Sequence, residues 1–270
     1  MKKERGTPSS LTAQLTERYN REASAYRDLW APILRIAGSR LVGQIPAAGI
    51  HRVLDVGSGV GGLIPEIERA FPEAGVVAVD RSPGMLALSA HRFPRAVMDA
   101  TQLAVRPESV DLLLLVFVLF HVEDPLKALR EARRVLRPGG FAGCLTWATD
   151  LESPASRIWT ACLDACGAAP TDPDTVTRHE PFNSPAKLED LFRGAGYTVV
   201  RAWEDELVVP IDREHLLKLR TSMGSSKPRF DSLTPALQSS CLAEARARFE
   251  RLEPPDFVAR GRVVHTLAEA

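Results

Sequence analysis

Several glycines cluster between a short apolar segment and a helical one, within residues 53–62. They satisfy a GxGxG pattern through Gly57, Gly59 and Gly61, and the dinucleotide pattern GxGxxG through Gly57, Gly59 and Gly62. Glycine lets the backbone turn tightly and come close to a ligand. The pattern therefore predicts a strand-to-helix turn that binds a cofactor; a tight turn without a ligand is the alternative.

Charge distinguishes between the cofactors that such a turn accepts. Asp55 stands just before the glycines, and no Lys or Arg occurs from Val53 to Leu63. An unpaired carboxylate would repel the pyrophosphate of a dinucleotide. S-adenosylmethionine (SAM) has no phosphate and carries a sulfonium and an ammonium, which an acidic group suits. The residues around the turn therefore favour SAM over NAD or NADP.

A second acidic residue, Asp80, ends the next apolar segment. At the end of a strand beside the glycine turn, a carboxylate can accept hydrogen bonds from both ribose hydroxyls of a nucleoside. A solvated strand-end aspartate is the alternative. Met85 lies five residues after Asp80. It is expected either to pack on an adenine face or to belong to the core.

Alternating apolar and amphipathic segments position these residues. Ser82 is a good helix N-cap before Pro83, and the segment Arg137-Pro138-Gly139-Gly140 is expected to end a helix and turn the chain. Strands are predicted at residues 52–56, 76–79, 96–98, 110–118 and 141–147. Helices are predicted at residues 11–43, 62–70, 83–90 and 125–136.

The second half of the chain is less regular. Helices are predicted at residues 154–166, 185–193, 212–221 and 235–252, and strands at 197–209 and 257–267. About 45 mainly helical residues thus separate the last two strands. We expect an α/β fold with a Rossmann-like, mostly parallel seven-stranded sheet, helices on both faces, and a helical cap inserted between the last two strands.

Three regions are expected within one structural domain. Residues 1–43 form an N-terminal helical lid, whose first ten residues are polar and loose. Residues 44–150 form the SAM-binding core. Residues 151–270 complete the sheet and add the substrate-cap helices.

Five separated motifs occur in one order along residues 17–150. They lie at residues 54–62, 79–86, 99–103, 109–122 and 136–140, and residues 19–30 supply an N-terminal helix. Together they resemble the class I SAM-dependent methyltransferases, specifically the small-molecule group similar to the ubiquinone/menaquinone-biosynthesis methyltransferases. The C-terminal third matches this group only loosely.

The resemblance implies contacts beyond the glycine turn and Asp80. Asp99 would accept from the exocyclic amine of adenine, and the backbone N–H of Ala100 or Thr101 would serve a ring nitrogen. The backbone carbonyl of Val116 or Phe117 would accept a hydrogen bond from the methionyl ammonium. Either Tyr19 or Tyr26 would close over the methionyl end. The complete expected cofactor set is Tyr19, Tyr26, Asp55, Gly57, Ser58, Gly59, Gly61, Asp80, Arg81, Met85, Asp99, Ala100, Thr101, Val116 and Phe117.

The acceptor is expected near His121, which follows the fourth strand at the sheet edge where ligands bind. His121 is interpreted as a general base, as a wall of the substrate pocket, or as a packed histidine. Phe120 stands where the family often has the first histidine of a pair. Trp147 and His179 are further candidates for the substrate pocket.

Composition argues against several other classes of protein. Basic and acidic residues number 34 each, so no nucleic-acid partner is expected. The longest apolar run, residues 112–120, is far shorter than a membrane helix, and no membrane partner is expected. Cys162 and Cys166 lack a second ligand pair at zinc-site spacing, so no metal is expected. A cytoplasmic monomer or homodimer with reduced cysteines is the expectation.

The expected activity is methyl transfer from SAM to a small-molecule acceptor with an O, N or C nucleophile, leaving S-adenosylhomocysteine. In-line displacement would depend mainly on proximity and orientation, because the sulfonium is already a good leaving group. An NAD(P)-dependent oxidoreductase and a SAM-binding module without turnover remain the alternatives.

Overall fold

A single seven-stranded sheet organises the protein, as a computed structural model shows for residues 11–89, 92–173 and 177–270. The strands are β1 (Arg52–Val56), β2 (Gly75–Asp80), β3 (Arg95–Val97), β4 (Val110–Val116), β5 (Leu136–Asp150), β6 (Val199–Pro210) and β7 (Val258–Glu269). Their order across the sheet is β3-β2-β1-β4-β5-β7-β6. The strands pair in parallel except β7, which is antiparallel to both β5 and β6. The expected mostly parallel seven-stranded sheet is confirmed.

Helices connect the strands and cover the sheet. They are α1 (Leu11–Ala25), α2 (Ala31–Val42), α3 (Ile64–Ala70), α4 (Pro83–Ala87), α5 (Pro125–Val135), α6 (Pro154–Ala165), α7 (Pro185–Gly194), α8 (Arg213–Ser222), α9 (Ser226–Asp231) and α10 (Pro235–Phe249). A π-helical turn, Tyr26–Trp30, joins α1 to α2. Short 3₁₀ turns occur at Leu119–His121, Glu180–Phe182 and Pro254–Asp256.

Strand β4 shows why both faces of the sheet must be covered. Its leucines alternate between two hydrophobic clusters: Leu112 and Leu114 belong to one, and Leu113 and Leu115 to the other. Successive side chains of a strand point to opposite faces, so an apolar run of this kind is buried on both sides. Helix α3 packs into the first cluster, whereas α5 and α7 pack into the second. The expected helices on both faces are thus confirmed.

The inserted cap is also present. Helices α8, α9 and α10 lie between β6 and β7 in the chain, and together with α6 they enclose a third cluster. Its largest buried members include Trp159, Phe230 and Phe249. The short helix α9 was not predicted from the sequence. Across the described ranges, no helix combines the length and apolarity that crossing a bilayer requires.

Some predicted boundaries are wrong for local reasons. The helix predicted at 11–43 is interrupted by the π-helical turn, and the strand predicted at 110–118 ends at Val116 because Phe117 adopts a positive φ of 58°. Helix α5 ends at Val135, and the residues expected to form a turn begin β5 instead, with a register shift against β4. Residues 1–10, expected to be loose, and Ala90, the predicted end of a helix, lie outside the described residues.

Candidate active site

The main cavity lies where the carboxyl ends of β1, β2 and β4 meet, because these strands are parallel neighbours in the sheet. It encloses about 720 Å³, part of it open to solvent. Eleven of the fifteen expected cofactor residues line it, and so does His121. The eleven are Tyr19, Tyr26, Gly57, Gly59, Asp80, Arg81, Met85, Asp99, Ala100, Val116 and Phe117.

The glycine turn has the backbone shape that glycine permits. Gly57 and Gly59 have φ angles of +70° and +56°, in the left-handed region. A Cβ atom at Gly57 would lie 2.3 Å from Cγ2 of Val118, and one at Gly59 would lie 3.1 Å from Cε of Met85. The backbone N–H of Gly57 donates to the carbonyl of Val79 at 2.7 Å, which fixes the turn against β2. The turn therefore lies so close to Val118 and Met85 that a side chain at Gly57 or Gly59 would crowd the cavity wall.

Asp80 holds two turns together. Its Oδ2 accepts a hydrogen bond from the Gly59 N–H at 2.8 Å, and its Oδ1 accepts one from the Ser82 N–H at 2.7 Å. Burial raises the pKa of Asp80, and these backbone hydrogen bonds oppose the rise. A carboxylate has about four lone-pair sites, so each oxygen still has capacity for a ligand hydroxyl.

Asp55 lies in a smaller cavity beside the first, which Ser58 also lines. The two cavities share Tyr26, Gly57 and further wall residues. Within the described structure, neither Oδ2 of Asp55 nor Oγ of Ser58 has a hydrogen-bond partner. Burial, together with the neighbouring charge of Asp80, raises the pKa of Asp55 to about 7.

This arrangement fits SAM better than a dinucleotide. A buried carboxyl oxygen without a hydrogen-bond partner, such as Oδ2 of Asp55, is costly unless a donor or a cation reaches it. Arg35 also lines the smaller cavity, but its Nε lies 3.9 Å from Oε1 of Glu66. Two carboxyl groups at the glycine turn suit a ligand with hydroxyl groups and positive charge, whereas they would repel a pyrophosphate.

Two of the expected cofactor residues, Gly61 and Thr101, make close contacts within the protein. Gly61 lines neither cavity in the described residues, and a Cβ atom there would lie 2.9 Å from the ring of Phe93. The N–H and hydroxyl of Thr101 both donate to Oδ1 of Asp99 at 2.7 Å. Because the Thr101 N–H is already engaged by Asp99 in this conformation, Ala100 is the better placed of the two alternatives for an adenine nitrogen.

Helix α1 lies over the cavity and is fastened at two points. Oδ1 of Asn20 accepts hydrogen bonds from the Ser82 hydroxyl at 2.7 Å and from the Gly84 N–H at 2.8 Å. Towards the start of the helix, the Thr12 N–H and hydroxyl donate to Oε1 of Glu123. Sequence analysis missed Asn20, whose only signal is its place beside Tyr19 in the N-terminal motif.

His121 and Tyr19 form an uncharged pair at one end of the cavity. The Tyr19 hydroxyl and Nε2 of His121 are 2.9 Å apart and share a hydrogen bond. Burial, together with the charges of nearby His179 and arginines, lowers the pKa of His121 to about 3. Burial also raises the pKa of Tyr19 to about 12. His121 is therefore neutral at physiological pH, and its pKa lies far below the unperturbed value of about 6.5.

The two other candidates for the substrate pocket, Trp147 and His179, pack against aromatic neighbours. Trp147 stacks on Trp30, with ring centroids 6.0 Å apart, and lies 4.8 Å from the ring of Phe117. The ring of His179 lies 4.4 Å from that of Phe120. Neither Trp147 nor His179 lines the cavities formed by the described residues. Trp147 packs on Phe117, which lines both cavities, whereas His179 packs on Phe120, whose ring contacts that of His121.

Comparisons with known proteins agree with this geometry. Residues 54–144 match the family model described as a methyltransferase domain. The chain is 34% identical over 152 residues to malonyl-[acyl-carrier protein] O-methyltransferase of Hahella chejuensis, a match that covers 54% of each chain. It is 28% identical over 244 residues to the enzyme of that name from Dechloromonas aromatica, covering 90% of this chain and 88% of that one.

A third relative is a C-methyltransferase rather than an O-methyltransferase. Ubiquinone/menaquinone biosynthesis C-methyltransferase of Desulfotalea psychrophila is 30% identical over 177 residues, which cover 57% of this chain and 68% of that one. The matched segments of several such relatives span only about half to two thirds of their length.

Solved structures share the fold. Phosphoethanolamine N-methyltransferase 2 of Haemonchus contortus superposes with a TM-score of 0.56 at 17% identity, covering 97% of this chain and 61% of that one. The YcgJ protein of Bacillus subtilis gives a TM-score of 0.53 at 15% identity, and the match covers 86% of this chain and 97% of that one. The motifs, the sheet and the relatives lead to one conclusion: the chain belongs to the class I SAM-dependent methyltransferases.

Proposed function

We propose that this methyltransferase acts on a small-molecule acceptor with an O, N or C nucleophile, which it binds beside His121. The observation that carries the proposal is the cavity itself. It joins an acidic, glycine-lined end to an end walled by the uncharged Tyr19–His121 pair. When bound, SAM supplies an activated methyl group on a sulfonium. The chain has to bind SAM and the acceptor, orient them towards each other, and exclude water from between them.

The cofactor-binding residues divide by chemistry. Asp80 is proposed to accept from the ribose hydroxyls, because its carboxylate already lies at the cavity wall between two fixed backbone donors. Asp99 and Ala100, further along the same wall, are proposed to bind the adenine. The carboxyl group of Asp55, whose Oδ2 has no hydrogen-bond partner in the described structure, is proposed to attract the positively charged methionyl end, directly or through water.

A proton-coupled experiment tests the role proposed for Asp55. Binding a cation favours the ionised carboxylate, and the pKa of ligand-free Asp55 is about 7. Binding S-adenosylhomocysteine should therefore release protons at pH 6–7, and its affinity should rise as pH rises through that range. Calorimetry in two buffers of different ionisation enthalpy measures the release. Asp55→Asn should remove it, and equal proton release by parent and variant would contradict the assignment.

His121 and Tyr19 are proposed to shape the acceptor pocket rather than to remove a proton. A base with a pKa near 3 has little driving force to take a proton at neutral pH. An acceptor that arrives ionised needs no base. Arg81 lines the cavity, and the charges of Arg18 and Arg178 also reach His121. This positive field supports an anionic acceptor, such as a carboxylate or a phenolate.

Turnover with labelled SAM tests both the activity and the role of His121. We expect methyl transfer to anionic members of an acceptor panel, including malonyl thioesters and phenols, with no loss of rate between pH 7 and about 5 attributable to His121. Tyr19→Phe removes only the hydroxyl and should leave kcat within a few-fold. His121→Ala should raise KM or lower stability more than it lowers kcat.

Three results would contradict this account. A kcat limb near pH 6.5 that disappears in His121→Ala, together with a 10²–10⁴-fold lower kcat and unchanged cofactor affinity, would make His121 the general base. Tight binding without transfer to any acceptor would favour a SAM-binding module. Transfer only to neutral acceptors would remove the proposed role of the arginines.

A further inference from the structure

One residue of helix α1, Asn20, is bonded to the turn that follows Asp80. Its Oδ1 accepts hydrogen bonds from the Ser82 hydroxyl at 2.7 Å and from the Gly84 N–H at 2.8 Å. The helix comes this close because Gly84 has no side chain: a Cβ atom there would lie 2.9 Å from Cα of Asn20. Asn20 lines neither of the two cavities in the described structure. Any effect of Asn20 on the cofactor must therefore pass through these neighbours.

Ser82 connects Asn20 to the proposed ribose ligand. The N–H of Ser82 donates to Oδ1 of Asp80 at 2.7 Å, and its hydroxyl accepts from the Met85 N–H at 3.1 Å. A serine hydroxyl has a single proton to donate. Because Asn20 accepts that proton, the buried Ser82 hydroxyl keeps a lone pair for the Met85 N–H. Asp80 and Met85 both line the main cavity, so Ser82 fixes two parts of its wall.

The same contact completes the start of helix α4. The first N–H groups of a helix have no partner within the helix itself. Here the N–H of Met85 donates to Ser82, and the N–H of Gly84 donates to Asn20. When α1 moves away, the Gly84 N–H and the Ser82 hydroxyl lose their shared acceptor. The turn between β2 and α4 is then held less firmly.

We propose that Asn20 is a positioning residue for the adenosine half of the cofactor. It holds Ser82, and through Ser82 the carboxylate of Asp80, in the geometry that binds the ribose. The inference rests on the ribose role proposed for Asp80, and not on the identity of the methyl acceptor. Because coupling between two sites is reciprocal, a bound cofactor also holds α1 more firmly in place.

The contact uses only the amide oxygen of Asn20, because both hydrogen bonds end on Oδ1. Aspartate offers an oxygen in the same place, whereas leucine has a similar shape and no acceptor. Asn20 is an exposed residue, so neither substitution opens a gap in the core. Asn20→Asp and Asn20→Leu therefore separate the hydrogen bonds from the packing of α1.

Calorimetry of the full chain with S-adenosylhomocysteine and with adenosine tests the proposal. Adenosine has the ribose but lacks the amino-acid end that Tyr19 or Tyr26 is expected to cover. Asn20→Leu should weaken the binding of both ligands by a similar factor, about 5–10-fold, because two exposed neutral hydrogen bonds are lost. Asn20→Asp keeps the acceptor and should bind both ligands with close to parental affinity.

Gly84→Ala tests the same contact from the other side. The substitution removes no hydrogen-bonding group, and alanine favours a helix more than glycine does, so α4 itself should not be weakened. The new Cβ atom would crowd the backbone of Asn20 and push α1 away. We expect weaker binding of both ligands, as with Asn20→Leu. Amide hydrogen exchange in α1 of the ligand-bound protein should also be faster than in the parent.

Three outcomes would overturn the proposal. The first is weaker binding of S-adenosylhomocysteine with parental binding of adenosine, which would mean that Asn20 acts through the tyrosines over the methionyl end. The second is equal weakening by Asn20→Leu and Asn20→Asp. The third is parental affinity in both Asn20→Leu and Gly84→Ala. Binding is measured without an acceptor, and substitutions of Asp80 test the ribose role separately, so this proposal and the proposed function can fail independently.

Discussion

Gly57→Ala is expected to abolish measurable binding of S-adenosylhomocysteine, a loss of at least ~100-fold, which corresponds to about 2.7 kcal/mol. The new Cβ atom would lie 2.3 Å from Cγ2 of Val118, which lines the same cavity. Valine is branched at Cβ and stiff, so it cannot rotate away at little cost. The turn or Val118 must move, and both belong to the cavity wall.

Gly167→Ala is the matched control for this substitution. Gly167 has nearly the same backbone angle, with a φ of +73° against +70° for Gly57, but nothing lies within 4 Å of the added carbon. Both variants carry the cost of a left-handed non-glycine residue, roughly 1–2 kcal/mol. Only Gly57→Ala adds the collision. Calorimetry should show near-parental affinity for Gly167→Ala, and similar affinities for the two variants would contradict the assigned role of the turn.

Asp80→Ala is expected to weaken SAM and S-adenosylhomocysteine binding by about 1.5–3 kcal/mol, or roughly 10–150-fold. The substitution removes the acceptor proposed for the ribose and also releases the N–H groups of Gly59 and Ser82. Asp80→Asn keeps one carbonyl oxygen but turns an amide NH₂ towards one of these donors. Both variants should therefore bind more weakly than the parent, and both should melt earlier.

Ligand affinity and thermal stability must be measured separately for the Asp80 variants, because both are expected to fall. Thermal melting first establishes which variants fold, and calorimetry then gives the affinity of the folded ones. Asp28→Asn is the matched control, because Asp28 is an exposed carboxylate that pairs with Arg27 away from the cavity. Parental affinity in a folded Asp80→Asn protein would show that Asp80 is not the ribose ligand.

The sequence predicts the edge of the sheet well because its signals there are local. The glycine turn, the N-cap at Ser82 and the apolar run of β4 each lie within a few residues, and each is found where expected. The side chain of Ser82 accepts from the Met85 N–H at 3.1 Å, as a capping residue should. Motifs in a fixed order then bring most of the expected cofactor residues to one cavity.

Features that depend on distant contacts are not predictable in this way. Asn20 bonds to Ser82 and Gly84, more than sixty residues further along the chain, and nothing in its own segment reveals those partners. The low pKa of His121 arises from burial by separate elements, including the helix that carries Tyr19. Sequence spacing places His121 at the sheet edge, but its environment determines whether it can accept a proton.

Ligand selectivity tests the central claim most directly. Calorimetry of the purified full chain with SAM, S-adenosylhomocysteine, NAD and NADP compares the ligands that a glycine turn of this kind accepts. The buried carboxyl groups of Asp55 and Asp80 predict that SAM and S-adenosylhomocysteine bind and that neither dinucleotide does. Tighter binding of NAD or NADP than of S-adenosylhomocysteine would contradict the account.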